Sequence, residues 1–349
     1  MAAWKEYSGP ITPMKSRRSL FRYSWWDATG IAMIALMGVL EIYLAVVFDR
    51  LGWAALAVAA VGLFVVRGSA GFAVHNLQHT PFFRSNGLNR LLLIATSGAG
   101  AVMPISALAR GHLYHHRNAI SFNDFRLRDV YSFKQVSRLF LSVALDPFML
   151  QLLALWFKIT FGKAPPPPDL GRRDFKSHAE YNDHIFGVVL YELKADPALL
   201  RQVMLESAAA ICFRVTLAII NYRFLFFFFL PLMFFSGLYG LYDDFCQHYG
   251  TRGDDPMRDS VSSYGRVFNL LWFNIGYHQE HHLRPGVHWT KLPRFRARML
   301  PEDQRRVVPI CLLTNLLIPL NPAVTTGPRA ASDAGLPDDQ GPASPLPSE

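Results

Sequence analysis

The chain has 349 residues, 51% apolar and only 17% charged, with a formal net charge of +9. That excludes a disordered chain and fits poorly with a soluble globule, where about a quarter of residues carry charge. Three cysteines (Cys212, Cys246, Cys311) without CxxC spacing exclude a disulfide framework, an iron–sulfur cluster and a thioredoxin-type motif.

Residues 1–26 hold Lys5, Lys15, Arg17, Arg18 and Arg22. Ala28–Phe48 follows, apolar except for Glu41, and as a helix its 21 residues reach about 31 Å, one hydrocarbon thickness. Leu51–Val66 continues past Arg67 into Gly68–Val74, and only Asp49 and Arg50 separate it from the first run, so the two predict a helical hairpin. Leu91–Ala109 is long enough to span but contains Gly98, Gly100 and Pro104, and we expect it to be re-entrant or interfacial. Asp146–Gly162, followed by Pro165–Pro168, reads as interfacial. Ser207–Ile220, interrupted by Arg214, and Phe224–Tyr242 predict a second hairpin turning at Asn221-Tyr222-Arg223. Val307–Leu320, broken by Pro309 and Pro319, also reads as interfacial.

The expectation is an all-α integral membrane protein with four transmembrane helices in two hairpins. Residues 27–320 form its single domain, and the Pro-, Ala-, Ser- and Asp-rich residues 321–349 form a disordered tail. Basic residues crowd the first span's leading side, so the N-terminal segment is expected in the cytoplasm and both turns outside. The Lys and Arg excess then means loops against anionic lipid, not nucleic acid.

Nine of the 12 histidines fall in four places: His75 and His79 in HNLQH, His112, His115 and His116 in HLYHH, His248 in DFCQHYG, and His278, His281 and His282 in HQEHH. Spacings of three and four put imidazoles on one helical face. Imidazole ligates zinc, copper, iron and nickel, and nine exceed the four that one tetrahedral ion takes. Two metal ions would use them all. Both hairpins return their histidines to the cytoplasmic side, where a helical cap would hold the di-metal site. HLYHH joins it only if Leu91–Ala109 does not cross. Asp124, Asp243, Asp244 and Glu280 are candidates to orient the ring N–H groups. His178, His184 and His288 read as solvated or capping residues, and His288, inside PGVHW, also as a residue that touches substrate or positions the last box. Glu41 reads as functional, or as snorkelling or pairing with another helix, and Phe224–Phe229 would face lipid or line an acyl tunnel.

HNLQH, HLYHH and GYHQEHHLRP resemble the three histidine boxes of the integral-membrane fatty acid desaturase and hydroxylase superfamily, and DFCQHYG resembles its fourth histidine site. The resemblance covers Trp26 to Pro293 and is most specific in FNIGYHQEHHLRPGVHWTKLP. It implies two non-haem irons on the nine histidines, O2 as co-substrate, a lipid or acyl substrate in the bilayer, and electrons from a separate ferredoxin or cytochrome with its reductase. The implied reaction inserts a double bond into a lipid-linked acyl chain. Hydroxylation or ketolation is the alternative, since SSYGRVFNLLWFNIGYHQEHH also resembles carotenoid ketolases. Asn76 stands where many relatives have an acid. Three residues separate the box-one histidines where acyl-CoA desaturases have four, and Asp244 stands where some relatives have Asn. A zinc-dependent hydrolase or a metal transporter is the reading from another class. A transporter would place its histidines within the spans. GxGxxG, P-loop and ExxH patterns are absent.

Overall fold

A computed structural model describes residues 19–100, 103–117, 122–123, 125–145, 175 and 177–325. Asp124, the 146–162 stretch and the tail from 326 lie outside them, as do the basic residues before Ser19. The described residues are helical, with two isolated bridges (Phe21 to Phe83, Ser262 to Val307) and no longer strand.

Helix α1 (Asp27–Val47) runs into a tight turn, Phe48–Arg50. Leu51 and Gly52 are extended, and α2 (Trp53–His79) returns alongside. The pairing is antiparallel: a Cβ on Gly30 would lie 3.2 Å from Ala73 Cβ, and Glu41 ion-pairs with Arg67 further along. Glu41 therefore pairs rather than snorkels, and both side chains are buried. Outward positions of both helices are apolar, with Trp53 89% and Val58 73% exposed. Helices apolar all round suit lipid, not water.

Three helical stretches among the described residues are long and apolar enough to cross a membrane: Asp27–Arg50, Trp53–His79 and Pro197–His248. The third has 52 residues, roughly 78 Å if straight, more than twice a hydrocarbon core. It is not straight. Its first part, α6 (Pro197–Phe224), starts with Pro197 behind Asp196, whose Oδ1 accepts from Ala198 N (2.9 Å) and Leu199 N (3.1 Å). Asn221 then leaves helical geometry (φ −161°, ψ 99°), and its Oδ1 accepts from Phe224 N at 3.1 Å, as an N-cap does. Five residues of wider π-type helix, Leu225–Phe229, lead into α7 (Leu230–His248). Pro231 has no N–H for the carbonyl four residues back, so the widening sits where an α-turn loses its bond. The aromatic run splits: Phe224 and Phe229 are core, while Phe226 and Phe227 face outward. Asp49 accepts from Asn221 Nδ2 (2.9 Å) and pairs with Arg223, so both turns lie side by side.

Leu91–Ala109 does not form one continuous helix. It divides between α3 (Asn86–Gly98) and α4 (Ile105–Arg117), 13 residues each, about 20 Å apiece and too short to span. The bend uses Gly100 at φ +113°, a conformation L side chains rarely adopt. Helix α5 (His178–Ala195), capped by Ser177, packs on α4 at Gly111, where a Cβ would lie 2.8 Å from Ile185. A short helix, α8 (His278–Leu283), carries the last histidine box. The 307–320 stretch clamps the end of α7: Asn315 Nδ2 donates to Cys246 O (2.6 Å) and Tyr249 O (2.9 Å). Of the expected tail, 321–325 contain one helical turn, Pro322–Thr325.

Candidate metal centre

All nine clustered histidines converge. His75 and His79 occupy the last turns of α2, His248 ends α7, and α4 and α8 bring the two HxxHH triplets between them. Two groups form. His75, His79, His112, His116 and His281 present nitrogens within 4.8 Å of one another, and so do His115, His248 and His282. His278 belongs to neither at that distance. Its ring lies 4.5 Å from His282 and 5.5 Å from His248, on the second group's side. The groups abut, with the His116 and His282 rings 4.3 Å apart.

The donor set fits metal ions. Nε2 of His116 lies 2.9 Å from His112 Nε2 and 3.1 Å from His281 Nε2, and His115 Nε2 lies 2.9 Å from His248 Nε2. Nitrogens sharing an ion at about 2.0–2.1 Å sit near this separation. Both ring nitrogens of His75, His79, His278 and His282 are buried without a hydrogen-bond partner among the described residues. Buried imidazoles left this way need an explanation, and a bound cation supplies one.

Outer contacts fix the rings. His248 Nδ1 donates to Asp259 O (2.8 Å), which turns Nε2 toward the cluster. Tyr181 OH meets His115 Nδ1 at 2.6 Å; His282 Nδ1 lies 3.4 Å from Asp259 Oδ2 without a hydrogen bond. The acids expected in this role sit differently. Asp243 accepts from Gln247, and Asp244 Oδ2 lies 3.5 Å from His178 Nε2. Glu280 accepts from Ser262 and Tyr264 and pairs with Arg305. None of the three hydrogen-bonds a clustered imidazole. Glu280, between two ligand candidates in sequence, is turned to α8's opposite side. Asp259 and Tyr181 carried no signal, being remote from every histidine motif in spacing. His178 is fully buried rather than solvated, with Nδ1 2.8 Å from Gln135 Nε2. His288 does cap, accepting from Thr290 N, but it is buried, with Nε2 2.8 Å from Asp27 Oδ1. His184 stacks obliquely on Tyr114 and Phe175.

Burial first, and then neighbouring imidazoles, hold His112, His116, His278, His281 and His282 well below the usual histidine range. The neutral form is the ligating one. His115 is pushed down to about 3 by burial and then by His248. A histidine whose folded value is depressed stabilises the fold above 6.5 and loses that contribution as pH falls through about 3. The chelator-treated protein should therefore melt at steadily lower temperature across that window. A constant melting temperature would mean that these rings are solvated.

The sequence model of the fatty acid desaturase family matches residues 51–313, three quarters of the chain and every histidine of both groups. This chain belongs to the fatty acid desaturase family. Two relatives are similar over short stretches. One is "Sphingolipid delta(4)-desaturase" of Komagataella phaffii, 44% identical over 51 residues, 15% of this chain and 14% of that protein. The other is "Putative sphingolipid delta(4)-desaturase/C4-monooxygenase" of Caenorhabditis elegans, 36% identical over 86 residues, 24% of this chain and 22% of that one. The matches thus span less than a quarter of either relative's length. No solved structure matches significantly.

In this desaturase-family chain Asn76, beside the first box's His75, donates from Nδ2 to Phe273 O at 3.3 Å, tying α2 to the segment that precedes the last box. A cavity of about 670 Å³ opens against the centre. His75, His112, His115 and His278 line it, together with apolar residues such as Met37 and Phe64. Its size and lining suit a long apolar ligand.

Proposed function

We propose that this protein is a membrane oxidoreductase that uses O2 to desaturate an acyl chain of a lipid. The observation that carries this reading is the double histidine cluster that lines a largely apolar cavity. Two irons, one per cluster, would supply the O2-derived oxidant that an unactivated C–H bond requires. The cavity's apolar walls bind the chain and keep water out. Buried neutral imidazoles hold the ions, Asp259 and Tyr181 fix the orientation of His248 and His115, and electrons come from a separate ferredoxin or cytochrome with its reductase. The two sphingolipid desaturases among the relatives make an amide-linked lipid the first substrate to test. In the bilayer we read four spans in two hairpins, with the paired turns at Asp49 and Asn221 outside and the histidine cap in the cytoplasm. The Asn221 cap and its contact with Asp49 support that layout.

Hydroxylation is the second reading, favoured by the monooxygenase half of the nematode relative's name. Expression in a host with ferredoxin, followed by mass spectrometry of the lipids, separates the two. The expected product is a host lipid two hydrogens lighter, absent when His281→Ala is expressed. A lipid heavier by one oxygen would replace desaturation with hydroxylation. Turnover that persists without O2, or with zinc as the bound metal, would remove the oxidative reading in favour of a hydrolase.

A further inference from the structure

Glu206 lies on α6, inside a candidate span, where an ionisable side chain is costly unless it is partnered. It is fully buried, and four donors converge on it. Its Oε2 accepts from Ser106 N (2.9 Å) and Ser97 Oγ (3.1 Å). Its Oε1 accepts from Ser106 Oγ (2.5 Å) and Gln202 Nε2 (2.9 Å). Four bonds fill the acceptor capacity of a carboxylate. Apart from Gln202, one turn back on α6, these partners sit on the two sides of the bend between α3 and α4.

Ile105 and Ser106 are the first two residues of α4, and the opening N–H groups of a helix have no partner within it. Here Ile105 N donates to Ser97 Oγ at 3.1 Å, and Ser106 N donates to Glu206. A carboxylate at this end also suits the helix dipole. The start of α4 is thus capped by the end of α3 and by α6. Arg67, on α2, holds the same bend by donating from Nη2 to Gly100 O at 2.5 Å. His112, His115 and His116 follow on α4. A helix turns about 100° per residue, so a slip of one residue at its start would swing all three imidazoles by more than a quarter turn. We propose that Glu206 is a positioning residue of the metal centre. By capping α4 from α6, it sets the rotation that sends His112 and His116 to one group and His115 to the other. This rests on the reading that the histidines hold metal ions.

The test reads metal binding by the folded protein, not turnover. Purified protein in detergent is titrated with cobalt(II), whose visible absorption reports ligand geometry, and the metal-free melting temperature is measured beside it. Glu206→Leu should bind cobalt about 10–100-fold more weakly, with an altered spectrum. Glu206→Gln keeps an acceptor for Ser106 N, while the serine hydroxyls and the Gln202 amide can reverse their roles. It should recover most of the affinity and the wild-type spectrum. Leu217→Ala, at a fully buried apolar position of the same helix, changes stability alone. It should melt lower and bind cobalt as the wild type does. Ser97→Ala removes a milder part of the cap and should weaken cobalt binding in the same direction, so it decides the matter if Glu206→Leu does not fold. Wild-type affinity and spectrum in the deciding variant overturn the proposal. Equal weakening in Leu217→Ala also overturns it and leaves Glu206 a tie between helices. Wild-type protein that takes up no cobalt would instead remove the metal reading itself, and the positioning role with it.

Discussion

Replacing His281 by alanine should cut turnover by more than about 100-fold, beyond what loss of an outer partner costs a metal site, and should lower bound iron. His281 belongs to the five-histidine group. Its Nε2 is 3.1 Å from His116 Nε2, and its ring is 4.5 Å from His79 and 4.7 Å from His75. Each group assembles from helices distant in sequence, so the loss of one ring removes a ligand without removing a helix. Membrane fractionation and helical content should therefore stay at wild-type level. Iron analysis and lipid profiling on the same preparation check the result. Normal iron with full turnover would exclude His281 from the ligand set.

Glu280→Ala should fail in a different way. Glu280 is fully buried. It accepts from Ser262 Oγ (2.8 Å) and Tyr264 OH (2.5 Å) and pairs with Arg305 Nη1 (3.5 Å), itself 1% exposed. Its removal leaves the buried Arg305 guanidinium with its hydrogen bonds to Leu300, Tyr264 and Gln279 but without its counter-charge, at about 3–5 kcal/mol. The network anchors α8, so the cost falls on the fold before it reaches the metals. The metal-free variant should melt well below the metal-free wild type. Glu280→Gln, which keeps the shape and one of the two acceptor oxygens, should melt between them. An unchanged melting temperature with weakened iron binding would instead put Glu280 in direct service of a ligand, as its position between His278 and His281 suggests in sequence.

Much of the centre was legible because its signals are local. Apolar runs of about 20 residues, the polar breaks at Asp49 and Asn221, and histidines at spacings of three and four each depend on one stretch of backbone. Those spacings already put the imidazoles of each motif on shared faces. Their convergence also followed from chain direction, since two returning helices deliver His75, His79 and His248 to one end. HLYHH needed the bend at Gly100, which the Gly and Pro content between Leu91 and Ala109 foreshadowed.

Pairings between remote segments were not legible. The split that sends His112 and His116 to one group and His115 to the other depends on how α4 is rotated against α2 and α7. Periodicity fixes a face but not what that face meets. Asp259 and Tyr181 reach His248, His282 and His115 across the fold, while Asp243 and Glu280, beside histidines in sequence, point elsewhere. Glu41 and Arg67 were visible as charges in apolar runs. Only the antiparallel register of α1 and α2 joined them, because a charge in lipid is stabilised by whichever partner packing brings within reach. Sequence determined the apolar helical runs and the spacing of the histidines; tertiary packing decided which nitrogens come together and which partners the buried polar groups meet, because those contacts join segments remote in the chain.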